Sequence, residues 1–518
     1  MLNRKTTIAL TALVWVTIAG LAFLFYPREP DFRVLTEPLY GGTMRIGNIP
    51  PGSLDPIEIS SAYEAFVINQ IHEGLVEYNV SLDVVPGLAE KWDVSDDFSR
   101  FRFYLRKNLH FHSGSQVTAG DVVSSFQRLI RKDSVEPTVG HAMLQELTGV
   151  ADFLSGHSDN VRGISVLPDS SIEFRTERSV PDFLMILASD PYKIVGRSGV
   201  GAGPFRLVSS TTTHLQLAPF EDYHGGRPYL DSIIIFLNPL WDEERSVESF
   251  DSGLVDIIDL PAWELDRFQE RSDVVVHRRQ GLTLEFLGIN NNHPVLSRRE
   301  VRWAMARSID WKDYFSEIGP LFRKATCLIP PGLAGFRERP DLFSQEELFS
   351  PSPQLFDGPS VEYIAVGEPG FEYGEDTIFM DAWRRQGLQI EYYPVPWEDW
   401  DSRIENRSAH LFSMAWVADL PSTPLFLYDL FHSEGWGNYF NYRNALVDSL
   451  IEVAIWSIDR SERLRLVTLA EEWILEELPI IPIDYVSSAF AIRNGLMDVS
   501  LGPMGLGNIR GELIWWNR

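Results

Sequence analysis

Residues 199–236 read GVGAGPFRLVSSTTTHLQLAPFEDYHGGRPYLDSIIIF. Gly199, Gly201 and Gly203 alternate at its start, a spacing that is no dinucleotide fingerprint. That start reads as a flexible crossing or turn between structural units. After Asp231 and Ser232, Ile233 through Phe236 are continuously apolar. Such a run predicts a strand buried on both faces.

Other strands upstream follow a different pattern. Phe101, Phe103 and Leu105 alternate with Arg102, Tyr104 and Arg106, predicting a strand with one buried face. Ile172-Glu173-Phe174-Arg175 repeats it. Helices carry start signals. Thr118 stands three residues before Asp121, and Val122, Phe126, Leu129 and Ile130 then share one face. Ser297 with Glu300 reads as a capping box, followed by Val301, Ala304, Met305 and Ile309. Asp459 with Glu462 opens another helix, whose buried stripe is Leu466, Ala470, Trp473 and Ile474 and which Pro479 ends. Strands and helices mix throughout, so the chain is α/β.

At 518 residues the chain is long enough for about three domains. Hydrophobic residues at 44% and charged residues at 23% are ordinary globular values, which excludes a disordered or polytopic chain. Acids outnumber bases 73 to 45, for a net charge of -28. Nucleic acid is therefore not an expected partner, since phosphate binding needs clustered Lys and Arg. The single cysteine, Cys327, excludes an intrachain disulfide and a Cys-rich metal site.

Arg4 and Lys5 precede an uncharged run, Thr6 to Tyr26, long enough to span about 30 Å as a helix. Read as a membrane anchor, it leaves everything after Pro27 outside the cytoplasm. Gly20-Leu21-Ala22 supports the competing reading of a cleaved signal peptide. Both readings export the protein. No cysteine follows the run to carry a lipid. Residues 27–40 form a tether.

Catalytic patterns are missing. His72-Glu73 starts like a zinc-protease motif, but Val76 stands where the second histidine belongs. There is no nucleophile elbow and no phosphate loop. His110 and His112 lack a third ligand, so they read as a structural loop rather than a metal site. No cofactor and no metal are expected, and no enzyme activity is indicated.

From Gly41-Gly42-Thr43-Met44-Arg45-Ile46-Gly47 and Leu54-Asp55-Pro56 onward, the chain resembles the family 5 extracellular solute-binding proteins of ABC importers, which include oligopeptide- and dipeptide-binding proteins. The resemblance continues in order through residues 71–78, 86–92, 101–106, 111–114 and 118–122. It resumes at Gly201-Ala202-Gly203-Pro204-Phe205 and runs through 223–231, 301–310, 329–333, 416–419 and 479–483, so that it covers roughly 40–490. Ser113 and Leu420 depart from the family's usual Asp and Tyr.

The resemblance implies a two-lobed fold of the periplasmic-binding-protein type II kind, with an additional inserted subdomain and a preceding N-terminal hydrophobic helix. It places the anchor or signal segment and tether at 1–39 and lobe I at 40–82, 203–283 and 490–518. The inserted subdomain falls at 83–202 and lobe II at 284–489. It also implies a solute, best read as a peptide, delivered to an ABC permease and its ATPase. A membrane-anchored sensor with the same cleft is the alternative, and an exported hydrolase is less favoured. In peptide-binding relatives the Trp-x-x-Asp segment lines the cleft, which maps to Trp416 and Asp419. Asp419 would pair with the peptide's α-ammonium, because a desolvated ammonium needs a charged partner. Trp416 would supply an apolar wall. Trp436 and Asn438, in a Gly-rich stretch, are further candidate ligand-binding residues. From the residues alone Asp419 reads first as a turn residue before Pro421, and Asn438 equally as an ordinary loop residue.

Overall fold

The computed structural model describes residues 37–59, 61–131, 143–238, 242–339, 342–343, 353–368, 370 and 373–517. The apolar run 6–26, and with it the expected N-terminal helix, lies outside them. Among the described residues no helix is long and apolar enough to cross a membrane.

The strand expected at Ile233–Phe236 spans Ser232–Leu237. It pairs in parallel with Thr43–Asn48 and antiparallel with His214–Pro219, so it is internal to its sheet. Ile233 and Ile235 are fully buried, whereas Ile234 and Phe236 are half-buried. One face is thus fully covered and the other only partly. This strand belongs to an 11-stranded sheet that runs the length of the molecule. Two long strands, Val274–Ile289 and Ile480–Arg493, pair antiparallel and carry the sheet from one half to the other. Their register shifts between Gln280 and Leu284, where the pairing partners change from first-half to second-half strands.

A separate four-stranded sheet is built from Ala89–Val94, Arg100–Leu105, Ile172–Arg175 and Ile164–Val166. Helix Ala119–Arg131 covers it, and Phe103 and Phe126 meet Phe174 edge-on. Thr118 and Asp121 cap that helix reciprocally: the Thr118 hydroxyl donates to Asp121 Oδ2 at 2.6 Å, and the Asp121 N–H faces Thr118 Oγ1 at 3.4 Å. Chain enters and leaves this sheet beside Gly201 and Gly203. A Cβ at Gly201 would lie 2.0 Å from the Ile71 carbonyl oxygen, and one at Gly203 would lie 2.6 Å from the Ile71 carbonyl carbon. These glycines therefore serve close backbone approach rather than the flexible crossing expected from their spacing.

Two other expectations need correction. Ser297 does not cap a helix: the helix is Arg299–Ser308 with Arg298 at its N-cap, and the Ser297 N–H is spent on His293 O in a preceding turn. Trp473 is 38% exposed, on the outer side of helix Arg460–Glu477, while Leu466, Ala470 and Ile474 are buried. Asp459 does cap that helix, accepting from the Ser461 and Glu462 N–H groups.

The long strands carry a pair of carboxyls. Glu285 stands opposite Asp484 in the register, and Asp484 is fully buried with neither carboxyl oxygen hydrogen-bonded. Burial pushes both groups up, the charges of Glu375 and Asp376 adding to Glu285, and Glu285 adding to Asp484. The folded chain thus holds protons that the unfolded chain releases near pH 4. Their contribution to stability is complete below that pH and is lost as pH rises toward and past neutrality. Asp484→Asn should therefore flatten the fall in melting temperature between about pH 5 and 8. Equal slopes for both proteins in thermal melts would contradict this.

Candidate functional site

Strand directions place the site. Thr43–Asn48, Ser232–Leu237 and Ile257–Asp259 run in the same direction as Val274–Ile289, toward the second half. Val361–Val366, Ile390–Val395 and Leu411–Val417 run the opposite way, toward the first half. The carboxyl ends of both sets therefore face one another across the two long strands. Ligands of open α/β sheets bind at such carboxyl ends. On the first side a cavity of about 140 Å³ is lined by Asn48, Asp242, Glu243 and Asp259. Trp263 and Trp397, each following one of these strands, are 65% and 58% exposed.

Asp419 follows the end of Leu411–Val417 and is exposed, as are Ala415 and Val417 before it. Trp416 alternates to the other side and is 8% exposed. Its ring packs on Trp436 at a centroid distance of 4.6 Å and on Tyr439 at 6.5 Å. A Cβ at Gly437 would sit 2.4 Å from the Trp416 ring, so glycine there is what lets the loop close over the indole. Three of the four candidates, Trp416, Trp436 and Asp419, are thus brought to one strand end and the loop beside it.

Asn438 has a different surrounding. It is 1% exposed, and its amide donates to His432 O at 3.1 Å and Tyr442 O at 2.7 Å while accepting from Tyr442 N at 2.9 Å. Its polar atoms are spent on backbone, and it holds the loop that carries Trp436.

Sequence reasoning missed Asp429. It lies on helix Thr423–Phe431, is 7% exposed, and its Oδ1 has no hydrogen-bond partner. Burial pushes its carboxyl well up, the charge of Asp419 adds to this, and the Trp436 indole opposes it.

The four-stranded unit meets the second half beside this site. Asp182 is buried there and accepts from Ser422 Oγ at 2.6 Å and Arg463 Nη2 at 2.5 Å. The Arg178 guanidinium lies 3.5 Å from the Trp456 ring centroid and pairs with Glu146. Between these contacts and Trp436 lies a cavity of about 780 Å³, walled by Tyr428, Trp436 and Trp456 with Glu146, Glu434 and Glu452. The histidines expected to be structural are so placed: His112 Nε2 bonds Gly203 O at 2.9 Å. Among the described residues no cluster of three or more potential ligands could hold a metal.

Residues 83–438 match the family described as bacterial extracellular solute-binding proteins, family 5 Middle. The periplasmic murein peptide-binding protein MppA of Escherichia coli is 24% identical over 464 residues, which cover 84% of this chain and 85% of MppA. A probable deoxycholate-binding periplasmic protein of the same organism, YgiS, is 23% identical over 476 residues, 84% of this chain and 86% of YgiS. In structure, the oligopeptide-binding protein AppA of Bacillus subtilis, solved with a nonapeptide, aligns with a TM-score of 0.75 at 18% identity, over 93% of this chain and 100% of AppA. The fold is accordingly the two-lobed α/β fold of these binding proteins, and the match to the family over more than half its length shows that the chain belongs to the bacterial extracellular solute-binding proteins, family 5, which bind solutes for transport and are not enzymes.

Proposed function

We propose that this protein captures a peptide between its lobes outside the cytoplasm and delivers it to an ABC permease and its ATPase. Facing carboxyl ends, with Asp419 exposed just past the end of Leu411–Val417, are the observation that carries this reading. MppA and AppA, which bind peptides by their names, supply the solute class. Asp419 anchors the α-ammonium, Trp416 and Trp436 form the apolar wall, and Asn438 acts by holding the loop rather than by touching the solute. Lobe I comprises 40–82, 203–283 and 490–518, with the inserted subdomain at 83–202, and lobe II comprises 284–489. The register shift after Gln280 supports a hinge in this division.

Closure around a peptide follows from two lobes joined by two strands. Trialanine at saturation should reduce the radius of gyration measured by X-ray scattering, and native mass spectrometry of the purified protein should show co-purified peptide. An unchanged radius, with only non-peptide mass released, would overturn the peptide reading. Residues 6–26 tether the protein to the membrane in this proposal. N-terminal sequencing of the mature protein should then begin at Met1 or Leu2, and a start at Phe23 would remove the tether.

A further inference from the structure

Asp429 is a carboxyl with no visible structural use. It is 7% exposed, its Oδ1 has no hydrogen-bond partner, and among the described residues the Trp436 indole, not a cation, is what opposes its upward shift. A buried, unpaired carboxylate would be strongly destabilising, so the group is held protonated. Its position is nonetheless tied to the solute site. The Asp429 carbonyl accepts from the Gly437 N–H at 3.0 Å, which locks its helix to the loop whose Trp436 packs on Trp416. Asp419 is near enough for its charge to act on Asp429.

We propose that Asp429 is a second carboxyl of the solute site, which gives up its proton when a cationic group docks at Asp419. This rests on the peptide reading above. The balance is simple: an ammonium arrives, the Asp429 O–H bond breaks, the proton leaves to solvent, and the new carboxylate and Asp419 together face the cation. The change in local charge is zero, so the carboxylate no longer stands unpaired in a buried setting.

Surrounding groups leave Asp429 in this role. Burial pushes the Tyr428 phenol up, and the charges of Glu434, Glu452, Asp429 and Asp448 add to this, so this helix end is acidic. His432 is stacked on Tyr428, accepts the Glu434 N–H at Nδ1, and is turned toward Glu452 through Nε2. On the third helix packed here, Arg463 is engaged by Asp182, and Glu471 accepts from the Leu328 and Ile329 N–H groups. Arg407 is turned to Gly435 O through Nη2 at 3.5 Å, and none of these named groups pairs with Asp429, so in this proposal the cation comes from the solute.

The test is calorimetric titration of trialanine, with N-acetyl-trialanine, which lacks the ammonium, as the control. Titrations run between about pH 6 and 7, where the peptide ammonium is already formed. Buffers of different ionisation enthalpy count the protons exchanged. The native protein should release up to about one proton per trialanine bound, with affinity rising up to about tenfold per pH unit. Asp429→Asn should bind with no release and a flat pH profile, at a melting temperature close to native. If native protein releases no proton, or if Asp429→Asn releases as much as native, the proposal is overturned. The native count alone decides should the variant fail to fold. If Asp419→Ala binds trialanine as tightly as native, or if N-acetyl-trialanine binds equally well, the underlying ammonium site is wrong and this inference falls with it.

Discussion

Asp419→Ala should weaken binding of a free-amino peptide by about 2–5 kcal/mol, roughly 30-fold to several thousand-fold in affinity. The cost arises because the peptide ammonium would be left desolvated against the Trp416 and Trp436 rings with its partner removed. Folding should be little affected, since Asp419 is exposed. Asp419→Asn should recover hydrogen bonding but not charge, and so fall between the two. Calorimetric titration with trialanine, beside thermal melts of each empty variant, checks both halves. Native-like affinity in Asp419→Ala would refute the anchor, and a large loss of stability would mark Asp419 as a turn residue before Pro421 instead.

Arg463→Met should have an effect of similar size on a different quantity. Asp182 has a side chain only 4% exposed, and Arg463 is its one cationic partner among the described ion pairs. Removing one member of a buried pair costs about 3–5 kcal/mol, because the other charge stays buried. Here the pair joins the four-stranded unit to the second half of the molecule, so the loss should appear as a lower unfolding midpoint or as an expanded radius of gyration in the empty protein. Adding Asp182→Asn to Arg463→Met should restore most of the loss, since no unpaired charge then remains. Denaturant unfolding and X-ray scattering of the three variants test it. A single variant indistinguishable from native in both measurements would show that the contact does not hold the halves together.

Much of the local structure was legible. The alternation at Phe101 and Phe103 marked a strand whose inward rings are fully buried, and Thr118 with Asp121 marked a helix start that the hydrogen bonds reproduce. Both depend on residues a few positions apart, where pattern and physics coincide. Ser297 shows the limit. Its spacing to Glu300 fits a capping box, but the turn from His293 claims its N–H and the helix starts two residues later. Gly201 and Gly203 show it more sharply. Their meaning lies in contact with Ile71, which is distant along the chain and close only once folded.

The site divided in the same way. The order of motifs along the chain carried the family and pointed to the Trp416–Asp419 segment. The amino-acid sequence by itself determined that this is an α/β member of the family 5 solute-binding proteins, because hydrophobic period and motif order are properties of the chain. Tertiary structure alone decided that Asn438 is spent on three backbone groups. It alone showed that Asp429 and Asp484 are buried with carboxyl oxygens that no hydrogen bond satisfies. Burial and the presence of a partner are set by which segments meet, and a carboxyl carries no mark of either in the sequence around it.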